Sequence, residues 1–194
     1  MRKLRAILKY RVKDPFRDGF WALYGRGIRN SAPNPDARSF LFVCTGNICR
    51  SPFCAGIAAR LSRERQRGPI LCESAGIQVS LSLPAPDDAI LAANRFGVDL
   101  RAHRSRVVDA RLLERFDAAF VMEAWQYRHM KRYFPGFREK IFLLPLFDGE
   151  EAAREGHYQA FHIEDPFGKP IEQFHRCFQR IERCVDAMLE RMVR

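Results

Sequence analysis

Ser39-Phe40-Leu41-Phe42-Val43-Cys44-Thr45-Gly46-Asn47-Ile48-Cys49-Arg50-Ser51 decides how the chain is read. The apolar run Phe40 to Val43 predicts a buried strand. It delivers Cys44 into a short polar loop, Thr45 to Cys49, that ends at Arg50, Ser51 and Pro52. Proline just inside a helix start is favoured because its missing N–H would be an orphan there anyway. Phe53, Ile57 and Leu61, four residues apart, predict a helix from Pro52 to about Arg65. Strand, tight loop and helix N-terminus together make an anion cradle, with loop N–H groups converging where the helix dipole adds partial positive charge. A thiol in such a field loses its proton more readily, and the thiolate is the nucleophile. Arg50 offers a planar fork for two phosphoryl oxygens at once. Gly46 gives the loop its backbone latitude, Asn47 can tie the loop to itself, and the Ser51 hydroxyl can donate toward the thiolate. The set suits a cysteine attacking a phosphate ester.

With those residues in place, Val43 to Pro52 resembles the signature of the low-molecular-weight protein tyrosine phosphatases. A bare Cys, five residues and Arg would be a weak match in so Arg-rich a chain. The continuation Gly46-Asn47-Ile48-Cys49-Arg50-Ser51-Pro52 after a strand makes it specific, against the bland alternative of a chance strand-to-helix turn with a buried cysteine. Ser74-Ala75-Gly76 after the next strand, and His103-Arg104-Ser105-Arg106 further on, resemble the same family. The resemblance implies Cys44, Arg50 and Asp165 as catalytic residues. It implies Thr45, Gly46, Asn47, Ile48, Cys49, Ser51 and Phe167 as substrate-binding, and His103 as a brace on the loop through Asn47. It implies no metal and no organic cofactor, and a reversible Cys44–Cys49 disulfide under oxidation.

Asp165-Pro166-Phe167-Gly168 is the second chemical motif. Transfer of a phosphoryl group from oxygen to sulfur needs an acid to protonate the leaving oxygen. A carboxyl residue before proline is held extended and projects from its loop. Asp-Pro is also a common turn signal, so its bland reading is a helix-entry loop. The chain departs from the family in three places. The loop Ile77 to Ala85 carries Leu81 and Leu83 where the family often has an aromatic wall. Glu123 stands where Asp usually follows Met, and Phe167 lacks the hydroxyl of the usual Tyr.

At 194 residues, 47% hydrophobic and 29% charged, the chain reads as one soluble domain plus an extension. No apolar run approaches the roughly 20 residues of a spanning helix, and no secretory signal is evident. The six cysteines lack paired metal spacings. Because Cys44 has to stay reduced, a cytoplasmic setting is expected. Residues 1–38 hold ten Lys or Arg against three Asp, most of the net charge of +10. Leu4, Ile7, Leu8 and Val12 outline a basic amphipathic helix, and Ser31 to Asp36 a linker. Peripheral contact of residues 1–30 with an anionic membrane face is one reading of this extension. Packing on its own domain is the favoured one. Nucleic acid is not expected, since no base-reading motif accompanies the charge.

Strands alternate with helices from residue 39 onward, at 70–76, 116–122 and 140–145, with helices at 86–96, 124–134 and 170–192. The expectation is an α/β fold, a three-layer α/β/α sandwich on a four-stranded parallel sheet, with residues 39–194 as the phosphatase domain. Residues 147–164 read as a solvated polar loop, favoured over a metal site. Cys177 and Cys184 read as core residues on the last helix. Phosphotyrosine protein hydrolysis through a phosphocysteine is the expected activity, with bacterial tyrosine kinases of polysaccharide export as candidate partners through the resemblance. Thiol-dependent arsenate reduction and a non-catalytic phosphate-binding regulatory module are the alternatives.

Overall fold

A computed structural model describes residues 28–31, 34–66, 68–148 and 158–192. β1 (Ser39–Cys44) lies inside a four-stranded parallel sheet of order β2-β1-β3-β4, completed by β2 (Leu71–Gly76), β3 (Ala118–Val121) and β4 (Ile141–Leu143). Five consecutive β1 residues, Phe40 to Cys44, are buried. A strand covered on both faces reads as a continuous apolar run instead of an alternating one. Its side chains still sort by period two. Phe40, Phe42 and Cys44 enter one core with Phe53, Ile57, Phe178 and Met188, while Leu41 and Val43 enter the other with Leu112, Leu113, Tyr127 and Met130. The same alternation sends Phe120 and Phe142 to the first core and Val121 and Leu143 to the second.

Those two cores are capped by helices, which makes three layers. α1 (Arg50–Glu64), α2 (Asp87–Asn94) and α5 (Ile171–Met192) cover the first, while α3 (Ala110–Glu114) and α4 (Ala124–Tyr133) cover the second. α5 packs on α1 through Phe178 stacked on Phe53, centroids 3.9 Å apart and planes 4° from parallel. Cys177 and Cys184 fall on its buried stripe as expected. The register pairs Cys44 with Gly76, so the cradle sits at the carboxyl edge of the sheet, where open α/β sheets bind ligands.

Several boundaries differ from the sequence reading. β3 and β4 are each shorter than the apolar runs that suggested them, because Phe116 and Leu144 to Phe147 are buried outside the ladder. α3 went unanticipated, since five residues carry too little periodicity. Its start is still chemically legible: the Asp109 side chain accepts from Leu112 N–H at 2.7 Å, a helix N-cap. The reading of 147–164 as a solvated loop is corrected at its end. Tyr158–Phe161 forms a 3₁₀ turn, and Ala160, Phe161, His162 and Ile163 are buried.

The amphipathic helix expected within residues 1–27 lies outside the described residues. The described residues that follow it lie against the sheet. Asn30 exchanges two hydrogen bonds with the backbone of Leu143, and Tyr127 donates its hydroxyl to Arg29 O at 2.9 Å. Among the described residues no helix is long and apolar enough to cross a membrane.

Candidate active site

The cradle forms because β1 ends at Cys44 and α1 begins at Arg50, leaving five residues to reverse direction. The reversal falls on Asn47, whose φ is +53°, and not on Gly46. Asn tolerates this left-handed geometry better than other side-chained residues. Here three further contacts hold it. Nδ2 donates to Ser51 Oγ at 2.9 Å and to Ser74 Oγ at 2.8 Å, while Oδ1 accepts from Arg106 N–H at 2.9 Å. His103 Nε2 donates to Asn47 O at 2.6 Å, so it carries the ring proton. Burial is the main cause holding the His103 imidazolium below the usual histidine range, only partly opposed by that hydrogen bond.

Cys44 is 2% exposed at the bottom of the loop. Its Sγ accepts from Asn47 N–H at 3.2 Å and lies 3.1 Å from Ser51 Oγ. That hydroxyl also lies 3.2 Å from Ala75 O. Having one proton, it donates either to the carbonyl or to sulfur, and an anionic sulfur draws it. Gly76 closes the floor: a Cβ there would meet Thr45 O at 2.8 Å and Val79 at 2.6 Å.

Arg50, at 1% exposure, is the most fully enclosed charge of the site. Nη1 donates to Glu123 Oε1 at 2.5 Å and to Ile163 O at 3.0 Å. Nη2 reaches Asp165 Oδ2 at 2.5 Å and Thr45 Oγ1 at 3.4 Å. Burial alone would disfavour the guanidinium charge. The nearby charges of Asp165, Cys44 and Glu123 outweigh it and hold the pKa above the ordinary arginine value. Glu123 is the converse case: burial pushes its pKa up, yet His162 and Arg50 bring it below the usual glutamate range.

Sequence reasoning brought Cys44, Arg50 and Asp165 forward, and the fold brings the three together around one guanidinium. It missed the shell that orients Arg50. Glu123, whose longer arm than Asp had left its part open, contacts Arg50 directly. Gln126, fully buried, donates to Glu123 Oε1 at 3.1 Å and to Thr45 Oγ1 at 3.2 Å. Trp125 Nε1 donates to Glu123 Oε2 at 3.1 Å. Ile163 is held by its N–H to Met122 O at 2.9 Å, which brings the chain back past the end of β3 and aims Asp165 at the cradle. Only the Met122-Glu123 pair carried a signal in the sequence. Cys49 is buried and its thiol pKa is raised well above the usual range by burial, then by the charges of Asp165 and Cys44. Phe167 is 59% exposed, and Leu81 and Leu83 are exposed as well.

Residues 39–194 match the model of the family described as low molecular weight phosphotyrosine protein phosphatase. A probable low molecular weight protein-tyrosine-phosphatase of Ralstonia nicotianae is 30% identical over 155 residues, covering 80% of this chain and 96% of its own. A protein-arginine-phosphatase of Geobacillus stearothermophilus is 29% identical over 156 residues, covering 78% and 94%. Among solved structures, the low molecular weight protein tyrosine phosphatase of T. tengcongensis superposes with a TM-score of 0.70 at 28% identity, over 79% of this chain and 99% of its own.

Proposed function

The chain belongs to the low molecular weight phosphotyrosine protein phosphatase family, and from that premise we propose how its residues divide the work of a cysteine-dependent phosphatase. Cys44 as thiolate attacks phosphorus. The S–P bond forms as the P–O bond to the leaving group breaks, and Asp165 as carboxylic acid protonates the departing oxygen. A water then attacks the phosphocysteine and gives a proton to the Asp165 carboxylate. The S–P bond breaks, which restores the thiolate and frees inorganic phosphate. Arg50 and the loop N–H groups hold the equatorial oxygens through both steps. Thr45, Gly46, Asn47, Ile48, Cys49 and Ser51 form the cradle, and Phe167 borders its mouth.

One observation carries this reading. Arg50 Nη2 spans from the cradle to Asp165 Oδ2, so the fork that would hold a phosphoryl group also holds the acid beside it. An incoming phosphate takes over that side of the fork and leaves Asp165 facing the leaving oxygen. The arsenate-reductase alternative needs accessible resolving thiols. Cys177 and Cys184 are buried, and burial pushes both thiols up to about 12.

The substrate class is phosphoprotein, and phosphotyrosine is the proposed residue. The Geobacillus relative, similar to nearly the same degree, makes phosphoarginine the second reading. A tyrosine kinase of polysaccharide export is the partner proposed through the family resemblance, and the basic composition of residues 1–30 supports contact with an anionic membrane face. The test compares wild type, Cys44→Ser and Asp165→Asn on p-nitrophenyl phosphate in EDTA, then on phosphotyrosine and phosphoarginine peptides. Activity lost in the first variant and strongly reduced in the second is the expected result. A Cys44→Ser enzyme with wild-type turnover would overturn it, and exclusive use of phosphoarginine would replace the substrate.

A further inference from the structure

The Asp165 loop forms one wall of a polar groove of about 410 Å³. Its other wall is the face of α5 that presents Gln173, Arg176, Arg180 and Arg183, opposite the buried stripe of Phe174, Phe178 and Ile181. Lys169 also lines the groove. Four basic residues therefore line the groove against two acidic ones, Glu164 and Asp165. Both acids have cationic partners of their own: Glu164 pairs with Lys169 at 3.3 Å, and Asp165 with Arg50. Arg183 pairs with Asp148 at 3.3 Å, with 61% of its side chain exposed. A pair so exposed holds by at most about 1 kcal/mol and yields readily to another carboxylate.

We infer that this groove is a docking subsite for acidic side chains flanking the phosphorylated residue of a protein substrate. The inference rests on the phosphatase reading for the identity of the substrate, and on the groove's own charge for what it takes from it. Asp165 belongs to both sites, so the groove adjoins the cradle, within reach of residues that flank a phosphate held there. Arg176 and Arg180 are one helical turn apart, about 6 Å along the axis. Alternate side chains of an extended peptide repeat at about 6.6 Å on one side, so acids at alternate positions meet successive arginines. Charges at such a rim act on encounter rate and on salt dependence more than on the chemical step.

The experiment uses the full chain and two phosphotyrosine nonapeptides, one with Glu at alternate flanking positions and one with Gln. The variant is Arg176→Gln/Arg183→Gln, exposed positions outside the cradle and the residues assigned to catalysis. Wild type is expected to use the Glu peptide about tenfold better in kcat/KM, mainly through KM, with the advantage lost in 0.5 M salt (about a 4 Å Debye length). The variant is expected to lose most of that preference while p-nitrophenyl phosphate turnover stays unchanged. Equal use of the two peptides by wild type, or a preference untouched in the variant, overturns the inference. Fluorescence anisotropy of the same peptides separates the two readings. Arginine-dependent binding of the Glu peptide without turnover keeps the groove and removes the phosphatase reading. A variant that loses binding to anionic vesicles but not to the Glu peptide makes the face a membrane contact and overturns the proposal.

Discussion

Replacing Asn47 by Ala tests how the cradle is held. The change leaves the Arg106 N–H without its buried acceptor, which costs about 1–3 kcal/mol. It removes the shared amide donor to Ser51 and Ser74, worth roughly another 1 kcal/mol. It also places Ala at φ +53°, a strain of about 1–2 kcal/mol. The sum is about 4 kcal/mol. In a chain of this length that lowers Tm by about 8–16 °C. Asn47→Gly loses the same hydrogen bonds but not the strain, so it should melt about 2–8 °C above the Ala variant. Differential scanning calorimetry of the three proteins, with p-nitrophenyl phosphate kinetics on each, reads both quantities. Because Asn47 N–H points at Cys44 Sγ, kcat should fall tenfold or more with the loop displaced, equivalent to about 1.4 kcal/mol at the transition state. An Ala variant melting within about 3 °C of wild type, or a Gly variant melting below it, would refute the argument.

Gly76→Ala drives a methyl group against Thr45 O and Asn47 Cβ. Backbone cannot yield cheaply there, so kcat/KM should drop more than Tm does, and matched kinetic and melting measurements decide it. Phe53→Ala removes a fully buried ring stacked on Phe178 at 3.9 Å and should cost about 3–5 kcal/mol by denaturant titration. His103 has a folded pKa below its ordinary 6.5, chiefly through burial. The unfolded chain therefore takes up the proton first, so this contribution to stability is complete above pH 6.5 and declines as pH falls through 6.5 toward the folded value. His103→Gln, which keeps an N–H for Asn47 O, should flatten that part of the stability profile. An unchanged slope would show that another group sets it.

The four parallel strands and the cradle were legible because each shows in a contiguous run of residues. Phe40 to Val43 marks a strand covered on both faces, and Cys44 to Pro52 is a single turn whose chemistry is contiguous. Less was legible where packing outvotes local pattern. Phe116 and Leu144 lengthened two apparent strands although neither joins the ladder, since burial alone does not distinguish a strand residue from one tucked beneath it. Residues 147–164 looked polar and irregular, yet Phe161, His162 and Ile163 are buried because the chain must return past β3 to place Asp165.

From the sequence came the Cys44 loop with Arg50 inside it and the α/β framework, read from residue type and near spacing, and the Asp165-Pro166 turn, whose acid role the family resemblance implies. Only the tertiary structure decided what surrounds Arg50. Glu123, Gln126, Ile163 and Asp165 converge on it from elements far apart in the chain. A buried guanidinium has to find partners for its donors wherever the fold supplies them. The basic groove on α5 has the same origin. Its arginines become a site only because the Asp165 loop is folded against them, a proximity that no spacing along the chain encodes.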